Sequence, residues 1–516
     1  MRRHENEVPC RRPGHWATGK AALDEDLPAR RPADETSRAC RHRAGCIGVV
    51  KSPFWGFAGH RDPALVTAVQ DPSALPVRPH ACPGLLRIVA SRDGGICRIK
   101  LPRGQLDAKA ARAIALAAER HADGVLEATN RANLQIRGVH AGAENALSLE
   151  LLAAGLGPRE LAADDVRNLL VSPALGLGMG GAFDASPLAT QLLDLLERTP
   201  RFHGLSPKFG IQLDGGEALA MLEHPNDVWL SALSDDPAPL FAFGLAGHPP
   251  QRETDRPALA AVTAGQVSLL METLLHLFLD LAGDGPTRMR QLREMLGDEV
   301  LLERLQQRLP FQLQLGPVVD NWRRPAPQAF GHLGIHPQRP PERAMVGAGF
   351  VLGRLDSTTL FGLADLAERF SGGQLRLTPW QSLILPNLAQ TDAAVVLGAL
   401  ANLGLVIDAA QPLSRLIACS GSSGCARGLA DTKADALRLA ERLRHAPPAG
   451  VHLCGCPRSC AAAHVAPYTL LAVADGRYDL FRRAVGVAGF GQPLARNLSL
   501  EAAGNLLAAP GAPTDA

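Results

Sequence analysis

The chain repeats itself at a fixed spacing of 249 positions, and this duplication constrains the fold more than any other feature. The identities at this spacing are Gly104 with Gly353, Leu106 with Leu355, Asp107 with Asp356, Ala118-Glu119-Arg120 with Ala367-Glu368-Arg369, Gly124 with Gly373, Thr129 with Thr378, and Gly155-Leu156 with Gly404-Leu405. So many identities at one spacing indicate an internal repeat, and both copies must therefore adopt the same local fold.

Each copy has the order of elements strand, helix, strand, strand, helix. In the first copy the pattern predicts a strand over residues 95–101, a helix over 108–121, a strand pair or one long strand over 125–139, and a second helix over 146–155. The second copy covers residues 347–405. This order is typical of a ferredoxin-like split βαβ unit. We therefore predict an α+β protein of duplicated ferredoxin-like half-domains, related by pseudo-two-fold symmetry and able to face a shared ligand, plus α/β cluster-binding lobes.

Composition shifts divide the chain into five predicted segments. They are an Arg-rich, disordered extension (1–78), the first ferredoxin-like half-domain (79–142), an α/β catalytic-lobe region with a helical stretch at 266–309 (143–330), the second half-domain (331–405), and a cluster-binding lobe with a helix at 426–444 and final strands within 468–489 (406–516). A Pro-rich stretch, 322–341, links the halves.

Four cysteines near the C-terminus form two pairs. Cys419 and Cys425 are spaced C-x5-C, and Cys456 and Cys460 are spaced C-x3-C. Four thiolates are the usual ligand set of one iron–sulfur cluster. Glycine and serine around the first pair let backbone amides approach a cluster. The sulfurs of the second pair can project from one face of a helical turn, because the two cysteines are four residues apart. The spacing predicts an iron–sulfur cluster and electron transfer.

Other roles for these cysteines fit the spacing less well. Structural zinc prefers cysteines two to four residues apart, which C-x5-C exceeds. Disulfides are unusual in a chain without a secretory signal. Cysteines buried as small apolar residues are seldom clustered among Gly, Ser and Pro. Cys454 is a fifth thiol in the same segment, so spacing alone leaves open whether it or Cys456 is the ligand.

Charge and hydropathy limit the partners of the chain. The net charge of +2 argues against nucleic-acid binding. The most apolar stretch, residues 268–281, carries Glu272, His276 and Asp280 four residues apart, which favours an amphipathic helix over a membrane span. No hydrophobic segment follows the N-terminal arginines. We therefore expect no membrane association and a cytoplasmic location.

Five polar residues in the first half form a candidate anion site. Arg131, Gln135 and Arg137 share one face of a predicted strand, and the second copy has lost these charges. Arg167 and Lys208 are further candidates. An arginine guanidinium can form two parallel hydrogen bonds to a carboxylate or a phosphate, so this set of residues predicts recognition of an anionic ligand. The alternative is that each is a solvated surface charge.

Residues 81–490 resemble the sulfite and nitrite reductase superfamily. The resemblance rests on the duplicated half-domains, the T-x-R-x-x-x-Q strand, the D-x-x-R-N loop, the Lys-Phe turn, the segment 332–338 and the cysteine spacing. It implies that Cys419, Cys425, Cys456 and Cys460 bind a 4Fe-4S cluster. In reductases, Cys460 would also bridge the cluster to sirohaem iron.

The resemblance also implies roles for the basic residues and shows one departure. Arg131, Arg167 and Lys208 would face an anionic substrate and tetrapyrrole carboxylates. The reductases have a second lysine two residues after the first, where this chain has Gly210. Loss of that charge weakens the expectation of multi-electron anion reduction.

Within the superfamily, the closest resemblance is to the precorrin-3B synthase family. Residues 81–88, 93–102, 127–138 and 420–424 carry it. It implies a monooxygenase that acts on precorrin-3A and O2, inserting oxygen at C20 and closing a γ-lactone. It further implies a mononuclear iron beside the cluster, either non-haem iron or sirohaem. NADH would be the ultimate electron donor, acting through a separate reductase or ferredoxin.

The sequence identifies neither the iron ligands nor a nucleotide site. His203, His332, His336 and His464 are the candidate ligands, with no clear pair among them. The segment 176–181 fits G-x-G-x-x-G but lacks the helix and the acidic residue of a nucleotide site, so it predicts a loop. Two other functions remain open, namely a sirohaem-dependent nitrite or sulfite reductase and a non-catalytic iron–sulfur redox sensor.

Overall fold

A computed structural model describes residues 82–180, 183–445 and 449–509. The predicted extension, residues 1–78, lies outside the described residues. The first half-domain contains β1 (Val89–Ser91), β2 (Gly94–Ile99), β3 (Gln105–Asp107), α1 (Ala108–His121), β4 (Val125–Ala128), β5 (Leu134–Val139) and α2 (Glu144–Ala153). Residues 125–139 were predicted to form either a strand pair or one long strand, and the structure has the strand pair, β4 and β5.

The segment that follows, here called the middle lobe, combines a five-stranded sheet with helices. Its elements are β6 (Leu169–Val171), α3 (Ser186–Arg198), β7 (Ile211–Asp214), β8 (Asn226–Ala232), β9 (Leu240–Gly247), β10 (Ala260–Thr263), α4 (Val267–Ala282), α5 (Met289–Leu296), α6 (Asp298–Gln306) and α7 (Pro317–Asp320). The predicted helical stretch 266–309 is therefore three successive helices, divided at glycines 283, 285 and 297.

The second half-domain repeats the elements of the first. Its elements are β11 (Gly334–Pro337), β12 (Arg343–Gly349), β13 (Arg354–Asp356), α8 (Ser357–Phe370), β14 (Gln374–Thr378), β15 (Ser382–Ala389) and α9 (Ala393–Asn402). Even the helix starts correspond. The carboxylate of Asp107 accepts a hydrogen bond from Ala110 N at 2.6 Å, and that of Asp356 accepts one from Thr359 N at 2.7 Å. Both aspartates are N-caps, which stabilise the first turn of a helix.

The last segment, here called the cysteine lobe, is a second α/β unit. Its elements are β16 (Leu416–Ala418), α10 (Gly421–Gly424), α11 (Thr432–Arg442), β17 (Val451–Cys454), β18 (Tyr468–Ala474), β19 (Arg477–Arg482), β20 (Gln492–Ser499) and α12 (Leu500–Leu507). The predicted helix at 426–444 is shorter, since Asp431 caps α11. Strand β20 lies beyond the predicted final strands.

The two half-domains exchange a strand. Short β3 pairs with β14 of the second half-domain, and short β13 pairs with β4 of the first, both antiparallel. The resulting sheets have the orders β1-β2-β5-β4-β13 and β11-β12-β15-β14-β3. Both half-domains share one hydrophobic core, which includes Ile114 of α1 and Leu363 of α8. The exchange produces the predicted pseudo-two-fold arrangement and makes each sheet depend on both copies.

The duplication extends to the two lobes. The middle lobe has the order β6-β7-β8-β9-β10, in which β6, β7 and β8 are parallel and β9 and β10 antiparallel. The cysteine lobe has the same pattern over β16 to β20. Each half of the chain is therefore a ferredoxin-like half-domain followed by a lobe of one topology.

Residues Ala264–Ala282 form the one helix in the described ranges that is long and apolar enough to cross a membrane by length and composition. Within it, α4 buries Leu270, Leu274 and Phe278 in the core of the middle lobe. Its polar stripe, which includes Glu272 and Asp280, is exposed. This division of polar and apolar faces is typical of a helix that covers a core.

Candidate functional site

The topology of the cysteine lobe brings its two cysteine pairs together. Strands β16 and β17 are parallel, with Ala418 opposite Leu453. Cys419 directly follows β16, and Cys456 lies two residues after the end of β17. Because the carboxyl ends of parallel strands meet at one edge of a sheet, both pairs emerge side by side.

Glycines shape the first cysteine loop. Gly421 has φ 63°, and a Cβ there would lie 2.6 Å from Thr432 N. A side chain at this position would therefore collide with the start of α11. At the neighbouring strand end, Gly455 N donates a hydrogen bond to Cys419 Sγ at 3.2 Å. An amide directed at sulfur stabilises a thiolate, as an iron–sulfur ligand requires.

The second cysteine pair lies on an irregular turn instead of the predicted helical turn. Ser459, between Cys456 and Cys460, has φ 50°, which is left-handed backbone. One such residue interrupts a right-handed helix. Cys460 is exposed at the end of this turn, while Cys456 is partly buried.

The four sulfurs influence one another electrostatically. Although part of Cys460 is exposed, partial desolvation of its sulfur raises its pKa, and the neighbouring Cys456, Cys419 and Cys425 raise it further. Holding all four as thiolates therefore requires a compensating positive charge, which metal ions supply. All cysteines in the described ranges are free thiols. Within the same ranges no three His, Cys, Asp or Glu side chains converge on a point that could hold a single ion.

Cys454 differs from the other cysteines of the lobe. Its side chain is 1% exposed, and its Sγ donates to the carbonyl oxygen of Cys456 at 2.8 Å. Burial raises the pKa of this thiol to about 12. A protonated thiol hydrogen-bonded to the backbone is a poor metal ligand, so the geometry favours Cys456.

A buried carboxylate lies beneath the first cysteine loop. Glu127 of β4 is 8% exposed and forms ion pairs with Arg354 at 3.0 Å, Arg137 at 3.3 Å and Lys433 at 3.5 Å. Its own burial raises its pKa, but Lys433, Arg137 and Arg354 outweigh that effect and leave the pKa below the usual value. Glu127 therefore carries a negative charge and links the first half-domain, the second half-domain and α11. No pattern in the sequence indicated this role.

Two of the predicted anion-site residues are engaged within the protein. Arg137 forms an ion pair with Asp93 at 2.8 Å and donates to the carbonyl oxygen of Gly424 at 3.1 Å, so it anchors the cysteine loop. Gln135 lies opposite Arg98 in the β2–β5 ladder. In the amide orientation that satisfies both groups, its oxygen accepts from Arg98 Nε at 2.9 Å. The involvement of Arg98 could be inferred only after the strand register was known.

Arg131 lies in the turn before β5 and beside the cysteine lobe. Its neighbour Asn130 donates to the carbonyl oxygens of Cys460 at 3.4 Å and Ala461 at 3.2 Å. Within the described ranges the guanidinium of Arg131 has no hydrogen bond and no ion pair. Burial lowers its pKa, and the nearby Arg288 lowers it further. An unpaired cation in such a place is suited to an anionic ligand.

Arg167 and Lys208 lie on loops that are tied to each other. Asn168, next to Arg167, donates to the carbonyl oxygens of Pro207 at 3.0 Å and Phe209 at 3.2 Å, on either side of Lys208. The Lys208 side chain is exposed. Arg167 is 7% exposed, and its guanidinium forms ion pairs with Asp164 at 3.5 Å and with Glu197 at 3.7 Å.

The candidate histidines do not converge. His203 contacts the carbonyl oxygen of Glu197 at 2.9 Å, His336 that of Leu333 at 2.7 Å, and His332 stacks on a tryptophan. The described part of segment 176–181 is a loop, as predicted, because α3 begins only at Ser186. A cavity of about 270 Å³ in the middle lobe, lined by Trp229 and Arg293 among others, contains none of the predicted site residues.

Comparisons with known proteins agree with this architecture. The family described as nitrite/sulfite reductase ferredoxin-like half domain matches residues 89–154 and 336–403. The family described as nitrite and sulphite reductase 4Fe-4S domain matches residues 162–313, which is the middle lobe and contains none of the four cysteines.

Among curated relatives, the chloroplastic ferredoxin–nitrite reductase of Zea mays is 31% identical, over 72% of this chain and 68% of the relative. The precorrin-3B synthase of a Sinorhizobium species is 26% identical, over 78% of this chain and 82% of the relative. The chain spans about two thirds of the length of the plant nitrite reductases it matches.

Among solved structures, the NirA protein of Mycobacterium tuberculosis superimposes with a TM-score of 0.64. It is 22% identical, and the alignment covers 80% of this chain and 79% of NirA.

Proposed function

Because this chain belongs to the nitrite and sulfite reductase family, whose members are oxidoreductases, we propose that it is a precorrin-3B synthase. In this proposal the chain is an oxygen-dependent monooxygenase. It converts precorrin-3A to precorrin-3B by hydroxylation at C20 and formation of a γ-lactone. The relative of that name aligns over a larger share of both chains than the Zea mays nitrite reductase does.

The observation that carries the proposal is that a side chain at position 210 has no room beside Arg131. A Cβ at this position would lie 2.7 Å from Arg131 Nη1 and 3.0 Å from Asn226 Oδ1. A lysine, which the reductase pattern has here, therefore cannot fit unless Arg131 moves. The site therefore keeps the guanidinium of the shared T-x-R-x-x-x-Q strand but lacks the additional ammonium group. This set favours a ligand carboxylate, which a guanidinium binds through two parallel hydrogen bonds, over a small anion that must also be protonated.

The other residues of the site have positioning roles in this proposal. Arg131 binds a carboxylate of the tetrapyrrole, and Lys208 and Arg167 approach it from the middle lobe. Gln135 holds Arg98, and Arg137 fixes Gly424 in the loop that carries Cys425. Desolvation strengthens each of these contacts, since charge pairs interact more strongly away from water.

In this proposal Cys419, Cys425, Cys456 and Cys460 bind the 4Fe-4S cluster that the family carries together with sirohaem. When bound, such a cluster supplies single electrons, and an adjacent iron, non-haem or sirohaem, supplies the site where O2 is activated. In a sirohaem form, Cys460 would be the bridging thiolate. A separate reductase or a ferredoxin, ultimately fed by NADH, would deliver the electrons. We place the enzyme in the cytoplasm.

A second candidate function is a sirohaem-dependent nitrite or sulfite reductase. The 31% identity to the Zea mays nitrite reductase, which exceeds the 26% identity to the precorrin-3B synthase, favours it. The two candidates differ in the state of the tetrapyrrole, because a reductase retains one as a cofactor and a monooxygenase releases one as product.

The test is anaerobic purification, visible spectroscopy with iron and sulfide quantitation, and turnover assays. The proposal expects O2-dependent conversion of precorrin-3A and no reduction of nitrite or sulfite, with the spectrum deciding between non-haem iron and sirohaem. Reduction of nitrite or sulfite by a sirohaem-containing protein would establish the second candidate instead. A bound cluster without turnover of any of these substrates would indicate a redox sensor.

The matched variant is Arg131→Ala, with Arg120→Ala as control. Arg120 is a surface arginine whose side chain is 60% exposed and paired with Glu150. We expect Arg131→Ala to weaken precorrin-3A binding by at least about tenfold, which corresponds to one charge-assisted contact of roughly 1.5–3 kcal/mol. The cluster content should stay unchanged. Equal affinities in the two variants would remove Arg131 from the site.

A further inference from the structure

A series of polar side chains extends from the surface to Arg131, between the middle lobe and the cysteine lobe. Its outer end is Glu223, in the loop before β8, whose side chain is 49% exposed. Glu223 Oε2 lies 3.5 Å from Nε2 of His464, in the segment before β18, and Glu223 Oε1 lies 2.7 Å from Arg483 Nη1. The side chain of His464 is 15% exposed, and His224 is 1% exposed. The centroids of these two imidazole rings are 5.2 Å apart.

The inner end of the series reaches the candidate anion site through Asn226. Asn226 Nδ2 donates to the carbonyl oxygen of His224 at 2.9 Å. Asn226 Oδ1 and Arg131 Nη1 both flank Gly210, at 3.0 Å and 2.7 Å from the Cβ that a side chain there would have. Arg131 also acts electrostatically on the His224 ring. The series therefore ends at the guanidinium to which the proposed function assigns ligand binding.

Each buried side chain between Glu223 and Arg131 has a polar atom without a hydrogen-bond partner among the described residues. These atoms are Nδ1 of His464, Nδ1 of His224 and Oδ1 of Asn226. A buried polar group left unpaired costs about 1–3 kcal/mol, and buried water satisfies such groups in folded proteins. Water can also bridge two ring nitrogens that are too far apart for a direct hydrogen bond. The series therefore has the composition of a hydrated path.

Both rings are neutral at pH 7 in the folded protein. Burial first, and then His464 and Arg131, hold the pKa of His224 well below its usual value. Burial also lowers the pKa of His464, while Glu223 opposes this effect and Arg483 adds to it. A neutral imidazole has one N–H and one lone pair, so it can accept a proton on one nitrogen while it releases a proton from the other. Neither ring then has to remain charged inside the protein.

We propose that His464 and His224 relay protons from the surface at Glu223 to the ligand site at Arg131. Insertion of one oxygen atom of O2 into a C–H bond consumes two electrons and two protons, and the second oxygen atom leaves as water. Reduction of nitrite or sulfite also consumes protons, because oxygen atoms leave as water. The reductase or ferredoxin partner supplies the electrons, and solvent supplies the protons through the two rings. The relay rests on the proposed function only in that a proton-consuming reaction takes place at Arg131.

The first test measures whether water reaches His224, and it needs no substrate. Hydrogen–deuterium exchange at the imidazole carbon between the two nitrogens, read by mass spectrometry of the full-length protein, requires contact between the ring and water. We expect His224 to exchange faster than His332, whose pKa is also lowered by burial and which is 6% exposed but stacks on Trp380. His464→Phe keeps a ring and removes both nitrogens, so it should slow exchange at His224 severalfold.

The comparison of His224 with His332 is made in the wild type and does not depend on whether a variant folds. Exchange at His224 that is no faster than at His332 would overturn the relay. Exchange at His224 that His464→Phe leaves unchanged would overturn it as well.

The second test measures turnover of the substrate that the wild type consumes, which is precorrin-3A with O2, nitrite or sulfite. His464→Gln keeps a hydrogen-bonding group next to Glu223 but does not transfer protons as an imidazole does. Its kcat should fall at least about tenfold with KM unchanged, and the solvent isotope effect on kcat should rise because proton transfer becomes the slow step. A purely structural role of His464 would leave the isotope effect as it is in the wild type.

His140→Gln is the matched control. His140 is likewise paired with an exposed carboxylate, Asp123 at 3.2 Å, and its substitution should leave kcat unchanged. A wild-type kcat in His464→Gln would overturn the relay. If the wild type consumes none of these substrates, the proposed function fails, and the exchange measurement alone decides the relay.

Discussion

The two lobes place different chemistry at the same point of the same topology. In the middle lobe, β7 ends at Asp214 and is followed by Gly215, while in the cysteine lobe β17 ends at Cys454 and is followed by Gly455. Both glycine amides donate to a side chain. Gly215 N donates to the carboxylate of Glu217 at 3.0 Å, and Gly455 N donates to Cys419 Sγ at 3.2 Å.

The difference lies in how the charge at each strand end is balanced. In the middle lobe, Asp214 is 1% exposed and forms a buried ion pair with Arg324 at 2.6 Å. Burial, followed by Asp214, raises the pKa of Glu217 to about 7. In the cysteine lobe, Lys433 acts electrostatically on Cys419 and Arg137 on Cys425, but both cations are already paired with Glu127. The middle lobe therefore balances its buried charge within the protein, whereas four thiolates would exceed the cations near them, and a positively charged cofactor would balance the rest.

The largest effect should come from removing one sulfur ligand. Cys456→Ser should abolish the reduced-state electron paramagnetic resonance signal of the cluster and lower iron and sulfide content, because three thiolates no longer enclose it. Cys454→Ser is the control, since Cys454 hydrogen-bonds to the backbone and is expected to remain a thiol. Cluster loss in the Cys454 variant and retention in the Cys456 variant would reverse the ligand assignment.

The sequence was sufficient for features that repeat or that depend on local spacing. The duplication predicted two half-domains of the same order, and helix α1 has the predicted bounds because Asp107 caps it. The strand exchange of β3 and β13 could not be foreseen, since it joins segments far apart in the chain. The shared topology of the lobes was missed because their sequences have diverged. Strand β20 is mostly exposed and shows no buried face to recognise.

For the candidate functional site, the sequence likewise predicted what depends on local spacing and missed what depends on the fold. Cysteine spacing predicted four sulfur ligands but left Cys454 and Cys456 as alternatives, which only the burial and hydrogen bond of Cys454 distinguish. Spacing did not predict the turn between Cys456 and Cys460, because a single left-handed residue leaves no periodic pattern. The assignment of Arg131 to the site, made from its motif, stays a prediction. Sequence patterns did not identify Glu127, because the role of a lone charged residue depends on partners that only the fold brings near it.

The second-largest effect should come from removing Arg324, the cation that neutralises the buried Asp214 in the middle lobe. Arg324→Met leaves Asp214 buried without a cation, and it also removes a hydrogen bond to the carbonyl oxygen of Glu217. Loss of one partner of a buried ion pair costs about 3–5 kcal/mol in free energy of unfolding. Denaturant unfolding measures it. The double variant Asp214→Asn/Arg324→Met should cost less than the sum of the single changes. Strict additivity would show that the pair is not coupled.

The third-largest effect should come from substituting Glu127 and Arg376, which occupy the same repeat position in the two half-domains. Glu127 and Arg376 are 249 positions apart, and both are buried against a loop of a lobe. Arg376 donates to the carbonyl oxygens of Pro173 at 2.9 Å and Leu175 at 2.7 Å. Arg376→Met leaves both oxygens unpaired and should cost about 3 kcal/mol of stability. Arg376→Met should leave the iron and sulfide content unchanged, whereas Glu127→Gln should lower it. Cluster loss in both variants would mean that the two positions are equivalent.

The smallest effect concerns the turn in which the half-domains differ most. Trp380 stands 249 positions after Arg131, in a turn of the same form, and His332 stacks on it with centroids 4.8 Å apart. Burial lowers the pKa of His332 to about 3, so the folded state keeps this ring neutral while the unfolded chain takes up a proton below its usual pKa of about 6.5. Stability is therefore present above pH 6.5 and falls as the pH is lowered toward 3. Between pH 7 and pH 5 the free-energy difference between wild type and His332→Asn should shrink by about 2 kcal/mol, as measured by denaturant unfolding at both pH values. A difference independent of pH would mean that the ring has the same pKa in the folded and unfolded states. In that case the second half-domain would carry a cation at its turn at pH 5, as the first does.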